Sequence, residues 1–317
     1  MALSNKSGYM QPRILISNHG QRFSYYENDN FKLGSGAMGT VYKGWRTHHP
    51  EQKVAIKLVN PRHAEHPVIR ERAKHESTLV FDNPNIIRML GYCEPIPQRG
   101  PIYIISELIN GTNIDEFAKT LPWDIRTEVI IRMMCAVLDG LACLHTKRVW
   151  HRDIKPSNIM VEDGINVKIM DLGIARTDGK AFGTSDRAFG TFAYAPPEQI
   201  SRAYGEVNHL SDIYSTGVTF YELLTGVNPY ETNNDVETMD RQIAMTLPYD
   251  QYIPKPLYKV LLKATAKRQT DRYQSVHEFK RAVLEPSMPA TIRQWELIVI
   301  IAGTTILIFF LLFLFLS

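Results

Sequence analysis

His151-Arg152-Asp153-Ile154-Lys155-Pro156-Ser157-Asn158 gathers a carboxylate, two cations and an amide into one short loop. Downstream, the strand-like run Val167-Lys168-Ile169-Met170 delivers a second carboxylate in Asp171-Leu172-Gly173. Upstream, Val54-Ala55-Ile56-Lys57 sets a lysine on a buried-type strand, where its ammonium can reach a bound anion. Before that comes Gly34-Ser35-Gly36-Ala37-Met38-Gly39-Thr40-Val41, with glycines that let backbone approach phosphate closely. The GxGxxG spacing lies between two strands and does not open a helix, which argues against a dinucleotide-binding fold. Alone it reads equally as a hairpin turn. Gly190-Thr191 and Pro196-Pro197-Glu198 complete the ordered set.

The pattern around these motifs divides the chain. From Phe31 to about Val59 it reads strand, glycine turn, strand, strand; Ile86–Leu90 and Ile102–Ile105 read as strands again. Pro67 to Phe81 reads as a helix with an exposed side. Beyond Asn113 the period lengthens. Val129, Ile130, Met133, Val137, Leu141 and Leu144 mark a helix over Arg126–His145, and another runs from Ile213 to Leu224. Strands first and helices after imply an α+β chain of two lobes around a cleft. Residues 1–30 are rich in Ser, Asn, Gln and Tyr and read as a polar tail or loosely docked arm. Leu297 to Leu316 carries no charge; at about 1.5 Å per residue it spans roughly 30 Å, the thickness of a bilayer core. Trp295 stands at its inner edge, and Lys280, Arg281 and Arg293 lie on the expected cytoplasmic side.

In identity, order and spacing this set resembles the eukaryotic-type protein kinases over roughly residues 31–285, with wording similar to the bacterial membrane serine/threonine members. The resemblance implies the two-lobed kinase fold, a small strand-rich N-lobe and a larger helical C-lobe, followed by one C-terminal transmembrane helix. The segments expected are a polar tail over 1–30, the kinase domain over 31–285, a juxtamembrane linker over 286–296 and a membrane helix over 297–316. It implies transfer of the γ-phosphate of ATP, with Mg2+, to serine or threonine hydroxyls of protein substrates. Asp153 would accept the acceptor's proton and Lys155 would steady the γ-phosphate; that lysine marks the serine/threonine branch. Lys57 would hold the α- and β-phosphates, itself held by a helix glutamate, Glu76 or, as an alternative, Glu71. Asn158 and Asp171 would bind metal. The nucleotide would be enclosed by Leu33, Gly34, Ser35, Gly36, Ala37, Met38, Gly39, Val41, Ala55 and Lys57. Its adenine would meet backbone groups of Glu107 and Ile109 behind a small gatekeeper, Ser106.

Further expectations come with the resemblance. Glu198 would pair with Arg272, Asp212 would hold the catalytic-loop backbone, and Thr184 or Ser185 would be regulatory phosphorylation sites, with Thr177 and Thr191 also in that segment. The chain departs from the family at Leu172, where phenylalanine is usual, at Pro196, where alanine is usual, and in a helix segment about two residues short after Glu76. A pseudokinase would have lost the lysine or an aspartate, and all three are present; small-molecule phosphotransferases lack the Lys155–Asn158 run and the Pro-Pro-Glu segment. The 317 residues carry 36 Lys+Arg against 33 Asp+Glu, a balance that calls for no nucleic-acid partner. Three cysteines without a CxxC pairing suit a reducing compartment. No cleavable signal opens the chain and no external sensing domain is expected after the bilayer segment. The kinase domain would therefore be cytoplasmic on a single-pass C-terminal anchor.

Overall fold

β-Branched and aromatic residues at alternating positions build the first lobe as antiparallel sheet. The computed structural model describes residues 11–36, 39–65, 67–97, 99–172 and 191–285. In chain order come β1 (Arg13–Ile16), β2 (Arg22–Tyr25), β3 (Lys32–Gly36), β4 (Gly39–Arg46) and β5 (His49–Val59). Then follow α1 (Pro61–Ala64), α2 (Pro67–Thr78), β6 (Met89–Cys93) and β7 (Tyr103–Glu107). The order along the sheet is β1-β2-β4-β5-β7-β6, with β3 paired to β4. Register places Val41 opposite Lys57, and Ala55 opposite Ser106. The helix expected over 67–81 stops at Thr78, and the strand expected from Ile86 begins only at Met89. Ile86 instead bridges to Ile169, and Ile87 N–H donates to its carbonyl at 3.0 Å.

Among the expected tail residues, 11–30 are not a loose arm. β1 and β2 form a hairpin that continues the sheet along β4, pairing Phe23 with Arg46 and Tyr25 with Gly44. Leu15, Phe23 and Tyr25 are buried with Val54, Ile56, Cys93, Tyr103 and Ile105 in one apolar cluster. The turn after β1 then reaches β6, at the opposite end of the strand order. Asn18 N–H donates to the Tyr92 carbonyl at 2.8 Å, and Tyr92 N–H donates to Asn18 Oδ1 at 2.9 Å. The sheet thus rolls until its ends meet. Gly91 permits the closure, since its φ is +125° and a Cβ there would lie 2.4 Å from Asn18 Oδ1.

The second lobe is helical. β8 (Gly111–Asn113), α3 (Ile114–Thr120) and α4 (Trp123–Thr146) lead to β9 (Ile159–Glu162) and β10 (Asn166–Ile169), which join β8 in a small antiparallel sheet. After them come α5 (Pro197–Ile200), α6 (His209–Thr225), α7 (Asp235–Ala244), α8 (Lys255–Ala264) and α9 (Val276–Leu284). α6 is buried almost all round, as a helix at the centre of a lobe is, and its buried Ser, Thr and Asp side chains bond backbone or neighbouring side chains. Asn208 and Ser211 close a capping box at its start, and left-handed Gly226 (φ +82°) ends it. Among the described residues, α4 alone is long and apolar enough to cross a bilayer, and 56% of its apolar window is buried inside the lobe. The expected linker and membrane helix, 286–316, lie outside the described residues, as do residues 1–10.

Candidate active site

β3 and β4 meet where Gly36 pairs with Gly39. Gly39 is required by packing, because a Cβ there would fall 2.1 Å from the Leu58 carbonyl oxygen. Gly34 and Gly36 differ: a Cβ on either would meet nothing within 4 Å. No neighbour among the described residues demands glycine there, and a bare backbone at these two positions leaves room for a ligand to approach closely. Ala37 and Met38 lie outside the described residues. Leu33, in the irregular step of β3, is exposed, Ser35 bonds the Thr40 hydroxyl at 3.1 Å, and Ala55, Ser106 and Ile109 are buried.

Two loops of the C-lobe lie side by side below this cleft. His151 Nε2 bonds the Met170 carbonyl at 2.7 Å, and Met170 N–H donates to the Asn158 carbonyl at 2.8 Å. Asp153 and Asp171 are thereby brought onto one floor. Asn158 Nδ2 donates to Asp153 Oδ2 at 3.0 Å and to the Asp153 carbonyl at 2.8 Å, while Lys155 Nζ stands 3.1 Å from Asp153 Oδ2. Lys57 reaches down from β5 to Asp171 Oδ1 at 2.7 Å. Desolvation by the surrounding protein works against ionising Asp171. The Lys57 ammonium, with His151 and Lys155 beyond it, outweighs that and holds the carboxyl below its ordinary value. The carboxylate still opens to the cleft over 48% of its side chain.

The backbone of this floor is strained and held from beneath. Arg152 and Asp171 both take left-handed φ, +64° and +46°. Asp212 on α6 is fully buried and accepts from His151 N–H at 2.9 Å and Arg152 N–H at 2.7 Å; His145 Nε2 lies 2.8 Å away. Burial pushes the Asp212 carboxyl up, but the His145 and His151 rings and the Arg152 amide pull it further down, leaving it below its ordinary value. Gln199 Nε2 donates to the Arg152 carbonyl at 3.0 Å. Glu198 and Arg272 form the expected pair, bidentate at 2.7 and 2.8 Å and wholly buried. Leu172 is buried in the C-lobe core, so its smaller side chain still packs.

The helix glutamate is reached only in part. Glu71 is exposed and pairs with Lys74 at 3.1 Å. Glu76 falls on α2, and its side chain lies outside the described residues. The candidate phosphorylation positions Thr177, Thr184 and Ser185, with Gly173 and Gly190, also lie outside them, as does the Thr191 side chain. Sequence reading missed what anchors α2. Arg70 bonds Glu94, with a second contact to the Gly100 carbonyl at 2.7 Å, and Lys74 reaches Glu94 at 2.8 Å. Charged residues on a partly exposed helix gave no signal that two of them, Arg70 and Lys74, meet Glu94 beyond the end of β6.

The donors fit a hard divalent cation. Asp171 offers an ionised carboxylate, and Asn158 has its amide nitrogen committed to Asp153, leaving its oxygen for a cation. Two protein donors are what Mg2+ takes when phosphate and water complete its shell. Among the described residues, no group of three or more His, Cys, Asp or Glu gathers as a metal cage.

A two-lobed domain with Gly34, Gly36 and Gly39 on the strands above the cleft, Lys57 reaching down from them, and Asp153, Asn158 and Asp171 on the floor has the arrangement of a phosphotransferase. Residues 27–284 match the protein kinase domain, and the chain belongs to that family. The relatives it resembles within that family are serine/threonine-protein kinases of bacteria. It is 32% identical to the serine/threonine-protein kinase PknH of Mycobacterium tuberculosis over 268 residues, 80% of this chain and 40% of that one. It is 31% identical to a probable serine/threonine-protein kinase of Clostridium perfringens over 257 residues, 78% of this chain and 36% of the relative. It is 29% identical to the serine/threonine-protein kinase pkn3 of Myxococcus xanthus over 280 residues, covering 82% and 50%. The matches thus span half or less of these relatives' length.

Proposed function

We propose that the chain transfers the γ-phosphate of ATP to serine or threonine hydroxyls of protein substrates. The observation that carries this reading is the pairing of the two catalytic loops, which sets Asp153, Lys155 and Asn158 beside the Lys57–Asp171 contact. Glu107 and Ile109 would present backbone groups to adenine, with Leu33, Val41 and Ala55 as walls and Ser106 behind. Gly34 and Gly36 would let the β3–β4 turn settle on the phosphates. Lys57 would exchange part of its contact with Asp171 for phosphate oxygens and take Glu76 as its second partner. Asp171 and Asn158 would hold Mg2+, which supplies neutralisation of the phosphate charge. Asp153 orients the acceptor hydroxyl and takes its proton as the oxygen–phosphorus bond forms and the bond from the γ-phosphorus to the bridging oxygen breaks, releasing ADP. Lys155 would steady the transferred group.

Asp153→Asn tests this. The purified variant should bind ATP with nearly unchanged affinity and transfer phosphate to a generic protein acceptor at least about a hundredfold more slowly. Wild-type turnover in that variant would remove Asp153 from the reaction.

We also propose that residues 297–316 cross a bilayer once and hold the domain on its cytoplasmic face. The support is an uncharged stretch of membrane-spanning length, flanked by Trp295 and by upstream basic residues. The full chain should resist carbonate extraction from membranes, and a protease on the cytoplasmic side of sealed vesicles should digest the kinase domain. Release by carbonate would overturn the anchor.

A further inference from the structure

Glu107, the last residue of β7 before the segment that joins the lobes, is held at its N–H, its carbonyl and its carboxylate Oε1. Its N–H donates to the Arg88 carbonyl at 3.0 Å. Its carboxylate Oε1 accepts from Arg88 N–H at 2.9 Å and from Lys168 Nζ at 2.8 Å. Its carbonyl accepts from Ser106 Oγ at 3.2 Å. The ion pair is largely shielded, with 16% of the Lys168 side chain and 20% of the Glu107 side chain exposed. A second clip lies three residues on, where Asn110 N–H donates to Glu162 Oε1 at 3.2 Å. Lys168 belongs to β10 and Glu162 to β9, so the connecting segment is fastened at both ends to the small sheet of the C-lobe. Between the clips lie the Glu107 carbonyl and Ile109. These are the groups assigned to the adenine, an assignment that rests on the function proposed above.

We propose that the Glu107–Lys168 ion pair positions the connecting segment for recognition of the nucleotide base. Lys168 stands three residues before Asp171 on the same short run of chain, and Ile169 between them is bonded both ways to the 85–87 backbone. A single stiff unit therefore carries the base-reading backbone at one end and the metal-binding carboxylate at the other. The pair fixes the separation between where the base sits and where the γ-phosphate sits. It contacts neither the nucleotide nor the reacting atoms, so Lys168 is a positioning residue and not a catalytic residue. Loss of the ammonium leaves the Glu107 carboxylate with one amide donor in a shielded place. The side chain then turns toward water and the carbonyl it carries loses its fixed direction.

The test uses the full chain purified in mild detergent, with Lys168→Met, Glu107→Gln and Lys168→Arg beside the wild type. Steady-state rates give KM for ATP and kcat; calorimetry gives the affinity for adenosine, which has no phosphates to compensate for a misplaced base site. Lys168→Met and Glu107→Gln should each raise KM for ATP and Kd for adenosine about tenfold, the size of a lost hydrogen bond to a charged group. Turnover of Lys168→Met at saturating ATP should stay within about twofold, and Lys168→Arg should recover most of the affinity because it restores the charge and the donor. Unchanged KM and adenosine affinity in Lys168→Met would overturn the proposal. So would a loss confined to kcat and melting temperature, which is what a merely structural residue would give. If Lys168→Met fails to fold, Glu107→Gln, which keeps shape and removes charge, carries the same two readouts. Wild-type chain that neither binds adenosine nor turns over ATP would refute the kinase reading itself; wild-type activity with unaffected variants would refute only this role.

Discussion

Phe23→Ala should unfold the N-lobe at a markedly lower temperature, although Phe23 precedes the stretch that matches the kinase family. The ring is wholly buried, 0% exposed, in the cluster with Leu15, Tyr25, Val54, Ile56, Cys93, Tyr103 and Ile105. Phenylalanine-to-alanine changes at such sites cost about 3–5 kcal/mol, combining the lost transfer energy with the cavity left behind. Whole-domain stabilities are about 5–15 kcal/mol, so one residue of the hairpin would forfeit a large share. At about 2–4 °C per kcal/mol for a domain of this size, the melting point should fall by roughly 6–20 °C. Ile14→Ala is the internal control: it lies in the same hairpin, 50% exposed, and should change stability by less than about 0.5 kcal/mol. Differential scanning fluorimetry of both variants, with KM for ATP measured in parallel, checks the pair. Because β4 and β5 share the cluster and also carry the glycine turn and Lys57, Phe23→Ala should weaken ATP binding as well. Equal melting points for the two variants would show that the hairpin is an ornament on the lobe and not part of its core.

Ser106→Phe should fill the space behind the expected adenine site and raise the inhibition constants of bulky ATP-site inhibitors sharply, with less change in KM for ATP; equal potency against both proteins would place Ser106 outside the pocket. Glu198→Gln should destabilise the C-lobe by about 3 kcal/mol, because it leaves the wholly buried Arg272 guanidinium without its counter-charge, and denaturant melts should register the loss. Lys267, set over the Tyr214 and Tyr230 rings, is pushed down from 10.5 to about 7 by burial and then by Arg272. Between those values the unfolded chain binds a proton that the folded chain does not, so this group makes stability rise with pH. The contribution is at most roughly 2 kcal/mol between pH 7 and 9, and Lys267→Met should lose that rise relative to wild type; parallel pH slopes for the two would refute it.

The sequence announced the C-lobe floor because its chemistry is compressed into contiguous words. His151–Asn158 and Asp171–Leu172 lie in two short runs, and the loop geometry that joins them follows from the same residues. Asp212 and the Glu198–Arg272 pair were legible only through the family pattern, since nothing local to Arg272 says that it will be buried. The hairpin was not legible. β1 and β2 are four residues each, their turn reads Ser17-Asn18-His19-Gly20-Gln21, and only β2 presents consecutive buried residues. Such strands are stabilised by what they roll onto, which no local pattern records. The contacts of Arg70 and Lys74 with Glu94, and of Lys168 with Glu107, were hidden for a related reason. Each cation reads as a solvated charge on its own element, and only the tertiary fold brings its partner from a distant part of the chain. The expected start of β6 at Ile86 failed because the apolar run there serves β10 and not the neighbouring strand.

Strain at the catalytic floor explains why so much of the C-lobe is committed to it. Left-handed backbone at Arg152 and Asp171, both with a Cβ, costs about 1–3 kcal/mol at each residue. The compensation comes from elsewhere. Asp212 must remain ionised to bind two amides with full strength, and its low carboxyl pKa preserves that charge throughout the neutral range. Its contribution is fully present above the unfolded value near 3.8 and is lost only as the pH falls through the lower folded value. His145 supplies part of that depression from α4, Gln199 fastens the Arg152 carbonyl from α5, and Lys57 fastens Asp171 from the other lobe. No one of these groups needs to touch an acceptor hydroxyl to matter. Asp153 points where it does because its neighbours in the chain are held in conformations they would not take alone. Changes at His145 or Gln199 should therefore register first in the rate of transfer, while the lobe around them still folds.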